Sequence, residues 1–180
     1  KGKAESFLPH FLSMTATPIP RSLALTVYGD LDLSIINEIP TERKKIITKV
    51  VAEEKRPAAY EFIREQIKQG RQVFVICPLI DLSDPLRPLS ASEASKLGVK
   101  SVEEEYQKLK KIIFPDLSIA KLHGRLKPAE KEKIMGEFLA GKIKIIVATS
   151  VVEVGVDAPN ASIMLIEGAE RFGLAQLHQF

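Results

Sequence analysis

The run Ile143-Lys144-Ile145-Ile146-Val147-Ala148 constrains this chain more than any other stretch. Short, apolar and β-branched, it suits a strand buried on both faces, the usual condition of a parallel sheet closed in by helices. The next residues, Thr149-Ser150-Val151-Val152-Glu153-Val154-Gly155-Val156-Asp157, change character at once. They bring hydroxyls, a Ser150-x-x-Glu153 spacing of the capping-box kind, and a glycine where a short helix would stop. Polar groups are thereby set at the carboxyl end of a buried strand. Open α/β sheets bind ligands there, and a helix amino terminus offers free N–H groups to an anion. An ordinary strand-to-helix turn carries the same features, so this stretch alone leaves both readings open.

The rest of the chain repeats the alternation. Residues 45–51 read as a strand, and 57–69 as a helix with Pro57 in its first turn, Phe62, Ile63 and Ile67 facing inward and Gly70 ending it. Residues 72–77 read as a strand, and the single cysteine in it, Cys77, packs as a small hydrophobe rather than serving as a nucleophile. Residues 81–100, with Pro85 and Pro88, form a long irregular connector. Ser101 and Glu104 make a second capping box ahead of Val102, Tyr106, Leu109 and Ile113 at helical spacing, closed by Pro115. A strand over 118–122 precedes a helix over 128–140 with Ile134, Met135, Phe138 and Leu139 inward and Gly141 at its end. Residues 162–166 form another strand, and a new element begins at Arg171. Strands and helices alternating with short connections predict an α/β fold: a parallel sheet with helices on both faces, joined by right-handed crossovers.

Size and charge bound the answer loosely. One hundred and eighty residues fit one complete domain with a piece of another, and a chain running from Lys1 to Phe180, where a helical pattern is under way, reads as part of something longer. A boundary is expected near Pro40. The net charge of +3 argues neither for nor against nucleic acid. With no apolar run of membrane-spanning length and no signal-peptide core, the expected location is cytoplasmic.

Three polar clusters fall at strand ends: Thr15-Ala16-Thr17-Pro18, His123-Gly124-Arg125, and Thr149 through Asp157. In a parallel sheet the last two should be spatial neighbours along the carboxyl edge. His123-Gly124-Arg125 fits a surface turn in which Gly124 supplies an unusual φ, and it fits equally a phosphate clamp built from backbone and guanidinium. No second histidine, cysteine pair or carboxylate stands at ligand spacing, so no protein metal site is expected. His178 reads as a helix-surface residue. Also missing are a Walker A loop, a Gly-x-Gly-x-x-Gly fingerprint and a serine nucleophile elbow. If a nucleotide is used, this chain supplies half of its site.

Taken together, four tracts resemble the superfamily 2 helicases, and most closely the RecG branch. They are Met14-Thr15-Ala16-Thr17-Pro18-Ile19-Pro20-Arg21 with the following Tyr28-Gly29-Asp30-Leu31-Asp32, Leu122-His123-Gly124-Arg125-Leu126-Lys127, the run Val147 to Asp157, and Glu170-Arg171-Phe172-Gly173-Leu174-Ala175-Gln176-Leu177-His178-Gln179. They occur in the family's order and spacing across nearly the whole chain. The resemblance implies a RecA-like second motor domain over 41–180, preceded over 1–40 by the tail of the first. It implies that Thr15, Ala16, Thr17 and Pro18, as motif III, couple nucleotide state to DNA grip. Thr149, with the His123-Gly124-Arg125 turn, would contact DNA phosphates. Glu153, Gly155 and Asp157 of motif V and Gln179 at the start of motif VI would face the nucleotide.

The same resemblance implies ATP and Mg2+, bound mainly by the first motor domain, and branched or double-stranded DNA as partner, with no membrane. It implies a monomeric full-length protein, with residues 1–40 open to swapping between copies of the shorter chain. The chain by itself, without Walker motifs or the motif VI arginines, is expected neither to hydrolyse ATP nor to unwind DNA. Two other readings compete: a transcription-repair coupling translocase, with similar motifs, and, from another class, a non-catalytic flavodoxin-like or receiver-like module. The Tyr28-Gly29-Asp30 and Glu42-Arg43-Lys44 tracts favour the RecG branch over the first, and the lack of an acidic cluster or phosphate loop after 45–51 and 72–77 speaks against the second.

Overall fold

Four apolar segments form the sheet: β1 (Val73–Ile76), β2 (Ile119–Leu122), β3 (Ile145–Ala148) and β4 (Ile163–Ile166). The structure, a computed structural model, describes residues 12, 14, 34, 36, 45–79, 101–150 and 158–180. The chain divides into two compact units, Lys1–Arg43 with Gln179 and Lys44–His178 with Phe180, and the second holds the sheet.

All strand pairs are parallel, in the order β2-β3-β1-β4. The central strands β3 and β1 are buried at every residue, whereas the edge strands β2 and β4 carry half-exposed or exposed positions such as Lys121 and Met164. A strand with neighbours on both sides and helices over both faces has no exit to water for a polar side chain. That is why the strand within the opening run, Ile145–Ala148, reads as continuously apolar, with Lys144 falling just before it.

Side chains alternate between two cores. Val73, Val75, Cys77, Ile119, Ile145 and Val147 face one layer, formed by α1 (Arg56–Lys68) and α2 (Val102–Lys108). Phe74, Ile76, Leu122, Ile146 and Ala148 face the other, formed chiefly by Phe138 of α3 (Pro128–Leu139). Phe172 and Phe180 flank the last helix, α4 (Leu174–Gln179), and pack on that second core with their rings edge to face at 5.4 Å. Cys77 is fully buried, as expected of a small hydrophobe.

The helix start expected at Ser101 and the stops expected at Gly70 and Gly141 are present, while Glu153 of the box expected with Ser150 and the stop at Gly155 lie outside the described residues. Ser101 and Glu104 form a reciprocal box, with Glu104 N donating to Ser101 Oγ at 3.2 Å and Ser101 N donating to Glu104 Oε2 at 3.3 Å. Lys127, a poor cap by composition, starts α3 because Glu130 reaches back to accept from its N–H at 3.1 Å. Gly70 (φ 88°) and Gly141 (φ 72°) end α1 and α3 in the left-handed region that favours glycine.

Several expectations need correction. The helix after Ser101 does not run as one α-helix to Pro115. It widens into a π-helical turn over Leu109–Ile113, where Phe114 N donates to Leu109 O at 2.7 Å. The extra residue in that turn lets both Leu109 and Phe114 enter the core, while Arg64 of α1 donates to Ile113 O at 2.8 Å and pairs with Asp116. Phe62 does not face inward: it is 53% exposed, because the buried stripe of α1 runs through Ile63, Gln66 and Ile67. Leu139, 51% exposed, likewise lies outside the stripe centred on Ile134 and Phe138. Residues 45–51 are not a strand among the described residues, and Ile46, Ile47 and Val50 are exposed. β-branched residues favour extended backbone, but a strand exists only through its ladder, and no described strand runs beside this segment. The connector expected over 81–100 lies outside the described residues. Its flanks meet, with Val102 N donating to Leu79 O at 2.9 Å.

Candidate functional site

The four strands end in step. Leu122 is level with Ala148, Ala148 with Ile76, and Ile76 with Ile166. The next residue of each strand therefore forms a row along the carboxyl edge: His123, Thr149, Cys77 and Glu167, about 4.8 Å apart from strand to strand. Two backbone bonds carry the ladder into this row, Cys77 N to Ala148 O at 2.8 Å and Glu167 N to Ile76 O at 2.9 Å.

His123 and Thr149 are thus neighbours, as expected for strand ends sharing an edge. Thr149 is buried and His123 half-buried, while Gly124 and Arg125 stand out in solvent. Leu126 N closes the turn on His123 O at 3.2 Å, and Lys131 Nζ donates to Gly124 O at 3.1 Å. Arg125, Lys127 and Lys131 give this rim a positive character suited to phosphate. Gly124 does not supply the unusual φ that a simple surface turn suggested: its φ is not positive, and a Cβ there would meet nothing within 4 Å. Open space and the missing side chain leave its backbone approachable.

Behind the turn, Lys121 of β2 pairs with Glu103 of α2 at 2.6 Å and lies 5.0 Å over the Tyr106 ring. The hydrogen bonds from Lys121 and Gln107 hold the Glu103 carboxyl below its ordinary range. β2 is in this way tied to α2 just before His123.

Thr15, Ala16, Thr17 and Pro18, and Glu153, Gly155 and Asp157, lie outside the described residues. Gln179 is the exposed last residue of α4, and His178 beside it is exposed as expected. Among the described residues no group of three or more His, Cys, Asp and Glu side chains is placed to hold a metal ion, and no helix is long and apolar enough to cross a membrane.

Sequence reasoning missed one feature of the edge. Glu167, only 3% exposed, pairs with Arg56 at the start of α1. Arg56 Nη2 also donates to Tyr60 Oη at 3.1 Å, and Lys108 Nζ donates to the same oxygen at 3.1 Å. Burial opposes the charge on Arg56, but its bonds to Glu167 and Tyr60 outweigh that and raise its pKa. Lys108 is raised for the same kind of reason, with the buried Glu105 carboxylate 3.7 Å away. An open cleft of about 430 Å³ lies beside these side chains, between α1 and the π-helical turn. A carboxylate directly after an apolar strand was the available signal for Glu167. Nothing in the sequence linked it to Arg56, 111 positions away.

This fold, with its row of strand ends, is that of a helicase motor domain, and residues 54–180 match the family model for the helicase conserved C-terminal domain, to which the chain belongs. Within that family the likeness is to RecG. The chain is 51% identical to the ATP-dependent DNA helicase RecG of Synechocystis sp. over 176 residues, 98% of this chain and 20% of that protein. It is 47% identical to RecG of Thermotoga maritima over 93% of this chain and 20% of that one. A solved structure of RecG bound to a three-way DNA junction superposes with a TM-score of 0.67 at 43% identity, covering 91% of this chain and 20% of the other. The chain spans about one fifth of the length of these relatives. The flavodoxin-like or receiver-like alternative gives way to this match.

Proposed function

We propose that this chain is the second motor domain, over 41–180, with the tail of the first over 1–40, of a RecG-type enzyme that converts ATP hydrolysis into movement on duplex DNA and remodels branched DNA. The observation that carries this reading is the level row of strand ends that sets His123 beside Thr149, in a chain half identical to RecG. The junction-bound RecG structure supports branched DNA as the partner.

On this reading the Thr149 hydroxyl and the exposed Arg125 guanidinium, with the accessible backbone at Gly124, bind phosphodiester oxygens. Such contacts position the duplex without reading its sequence. Glu153, Gly155, Asp157 and Gln179 face ATP, and the first motor domain supplies most of the contacts to ATP and Mg2+. Thr15, Ala16, Thr17 and Pro18 relay nucleotide state to the DNA grip. The full-length protein acts as a monomer.

The test is DNA-stimulated ATP hydrolysis by the full-length protein on forked against linear duplex, with Gly155→Ala and Asp157→Asn beside the wild type. Stimulation greater on the fork, and lost in both variants, is expected. Equal stimulation by both DNAs would remove the branched-DNA assignment. The 180-residue chain alone is expected to release no phosphate, and DNA-stimulated release from it would overturn the division of the site between two domains.

A further inference from the structure

Glu167 is the only acid in the edge row, and three constraints hold it and the turn behind it. Its N–H belongs to the β1–β4 ladder through Ile76 O, so the sheet sets its height at the edge. Its buried carboxylate pairs with Arg56, which stands at the first position of α1 next to Pro57. The following residue, Gly168, turns through the left-handed region (φ 61°) against the exit of β1, where a Cβ would meet Pro78 Cγ at 3.5 Å and Arg171 Cδ at 3.6 Å. A short 3-10 turn, Ala169–Arg171, then leads to α4.

A buried ion pair stabilises a fold no better than well-packed apolar groups. What the planar guanidinium supplies is direction as well as distance: Nη2 reaches Glu167 Oε1, while Nε and Nη2 donate to Tyr60 Oη at 3.3 and 3.1 Å and so fix the plane of the group. We infer that Glu167, held by Arg56, is a positioning residue for nucleotide turnover: the pair fixes where the β4–α4 turn leaves the sheet, and so where the residues delivered by α4 stand. This rests on the motor reading above. Neither side chain is asked to touch ATP or DNA.

The experiment uses the full-length protein and measures kcat and KM for ATP in DNA-stimulated hydrolysis, DNA affinity, and thermal unfolding. Glu167→Gln is expected to lower kcat about 10- to 100-fold, the scale of a misplaced constellation, with KM for ATP and DNA affinity within about twofold of wild type. Arg56→Lys, which keeps the charge and loses the guanidinium plane shared between Glu167 and Tyr60, is expected to fall between wild type and Glu167→Gln. The double variant Arg56→Gln/Glu167→Gln removes both charges and leaves no buried charge unpaired, so it folds even where a single variant does not. Its kcat should stay low. A wild-type kcat in folded Glu167→Gln, or recovery to wild type in the double variant, overturns the positioning role. A fall in melting temperature with kcat preserved in the surviving enzyme also overturns it, leaving the pair purely structural. A wild-type protein without DNA-stimulated hydrolysis sinks the motor reading itself, an outcome separate from these.

Discussion

Replacing Phe138 by alanine tests whether the sheet has a second sealed core. Phe138 is 0% exposed, its ring lies 4.9 Å from that of Phe74, and it is the fully buried member of α3. Truncation removes the whole side chain from a site walled by Phe74, Ile146 and their neighbours, which can collapse only partly. The expected loss is about 3–5 kcal/mol, made up of the lost transfer free energy and the cavity left behind. Phe62 is the internal control: with half of its surface already in water, its truncation should cost roughly 1 kcal/mol. Urea unfolding followed by far-UV circular dichroism reads both. With a slope of about 2 kcal/mol/M, the Phe138→Ala midpoint should fall by roughly 2 M and the Phe62→Ala midpoint by about 0.5 M. A loss of that size is a large part of a typical domain's stability. Phe138→Leu, costing about 1.5 kcal/mol or somewhat more, therefore provides a graded point that stays folded. Equal shifts for Phe138→Ala and Phe62→Ala would refute the two-core arrangement and place α3 elsewhere.

Three further outcomes follow from the same geometry. Gln72 is buried and its Nε2 donates to Phe138 O at 2.6 Å and Ile143 O at 2.7 Å, tying the end of α3 to the entry of β3. Gln72→Leu strands both carbonyls and should cost roughly 2–4 kcal/mol by urea unfolding, and a cost below about 1 kcal/mol would mean that water takes over the bonds. The Glu103 carboxyl is held low by Lys121 and Gln107, so its contribution is present above the unfolded carboxylate pKa of about 4.3 and is lost as pH falls through the depressed folded value. Glu103→Gln should therefore melt slightly lower than wild type at pH 7, by a few tenths of a kcal/mol for so exposed a pair, with the gap closing below about pH 4. A gap unchanged at pH 3 would rule out the ion pair as its source. In the full-length protein, Arg125→Ala should weaken binding to duplexes of every sequence alike and reduce the salt slope of log K by about 1. Sequence-dependent losses in that titration would contradict a pure phosphate contact.

Periodicity made most of the fold legible. A strand buried on both faces must be apolar without a break, so the unbroken cores of 143–148 and 72–77, residues 145–148 and 73–77, announced the sheet's centre. The capping box at Ser101 and Glu104 and the glycines at 70 and 141 marked helix ends, because their chemistry is local. The carboxyl edge was also foreseeable. Once strands are parallel, residues that follow them share one side, and His123 meets Thr149 for that reason. Residues 45–51 show where local pattern stops short: Ile46, Ile47 and Val50 have strand chemistry, but a ladder needs a neighbour that composition does not supply.

What only the folded chain could decide is how distant parts are matched. Phe62 and Leu139 sit at the rims of helical stripes, and whether a rim residue is covered depends on the neighbouring layer rather than on its own helix. The π-helical turn at Leu109–Ile113 arises because Leu109 and Phe114 must both reach one core, a requirement that appears only when α1 and the sheet are in place. The pairing of Arg56 with Glu167 is of the same kind. Hydrophobic period, caps and strand ends are written within a few residues of each other and can be read in order. An ion pair between the start of α1 and the exit of β4 depends on strand order and helix placement, which the packing of the whole domain sets.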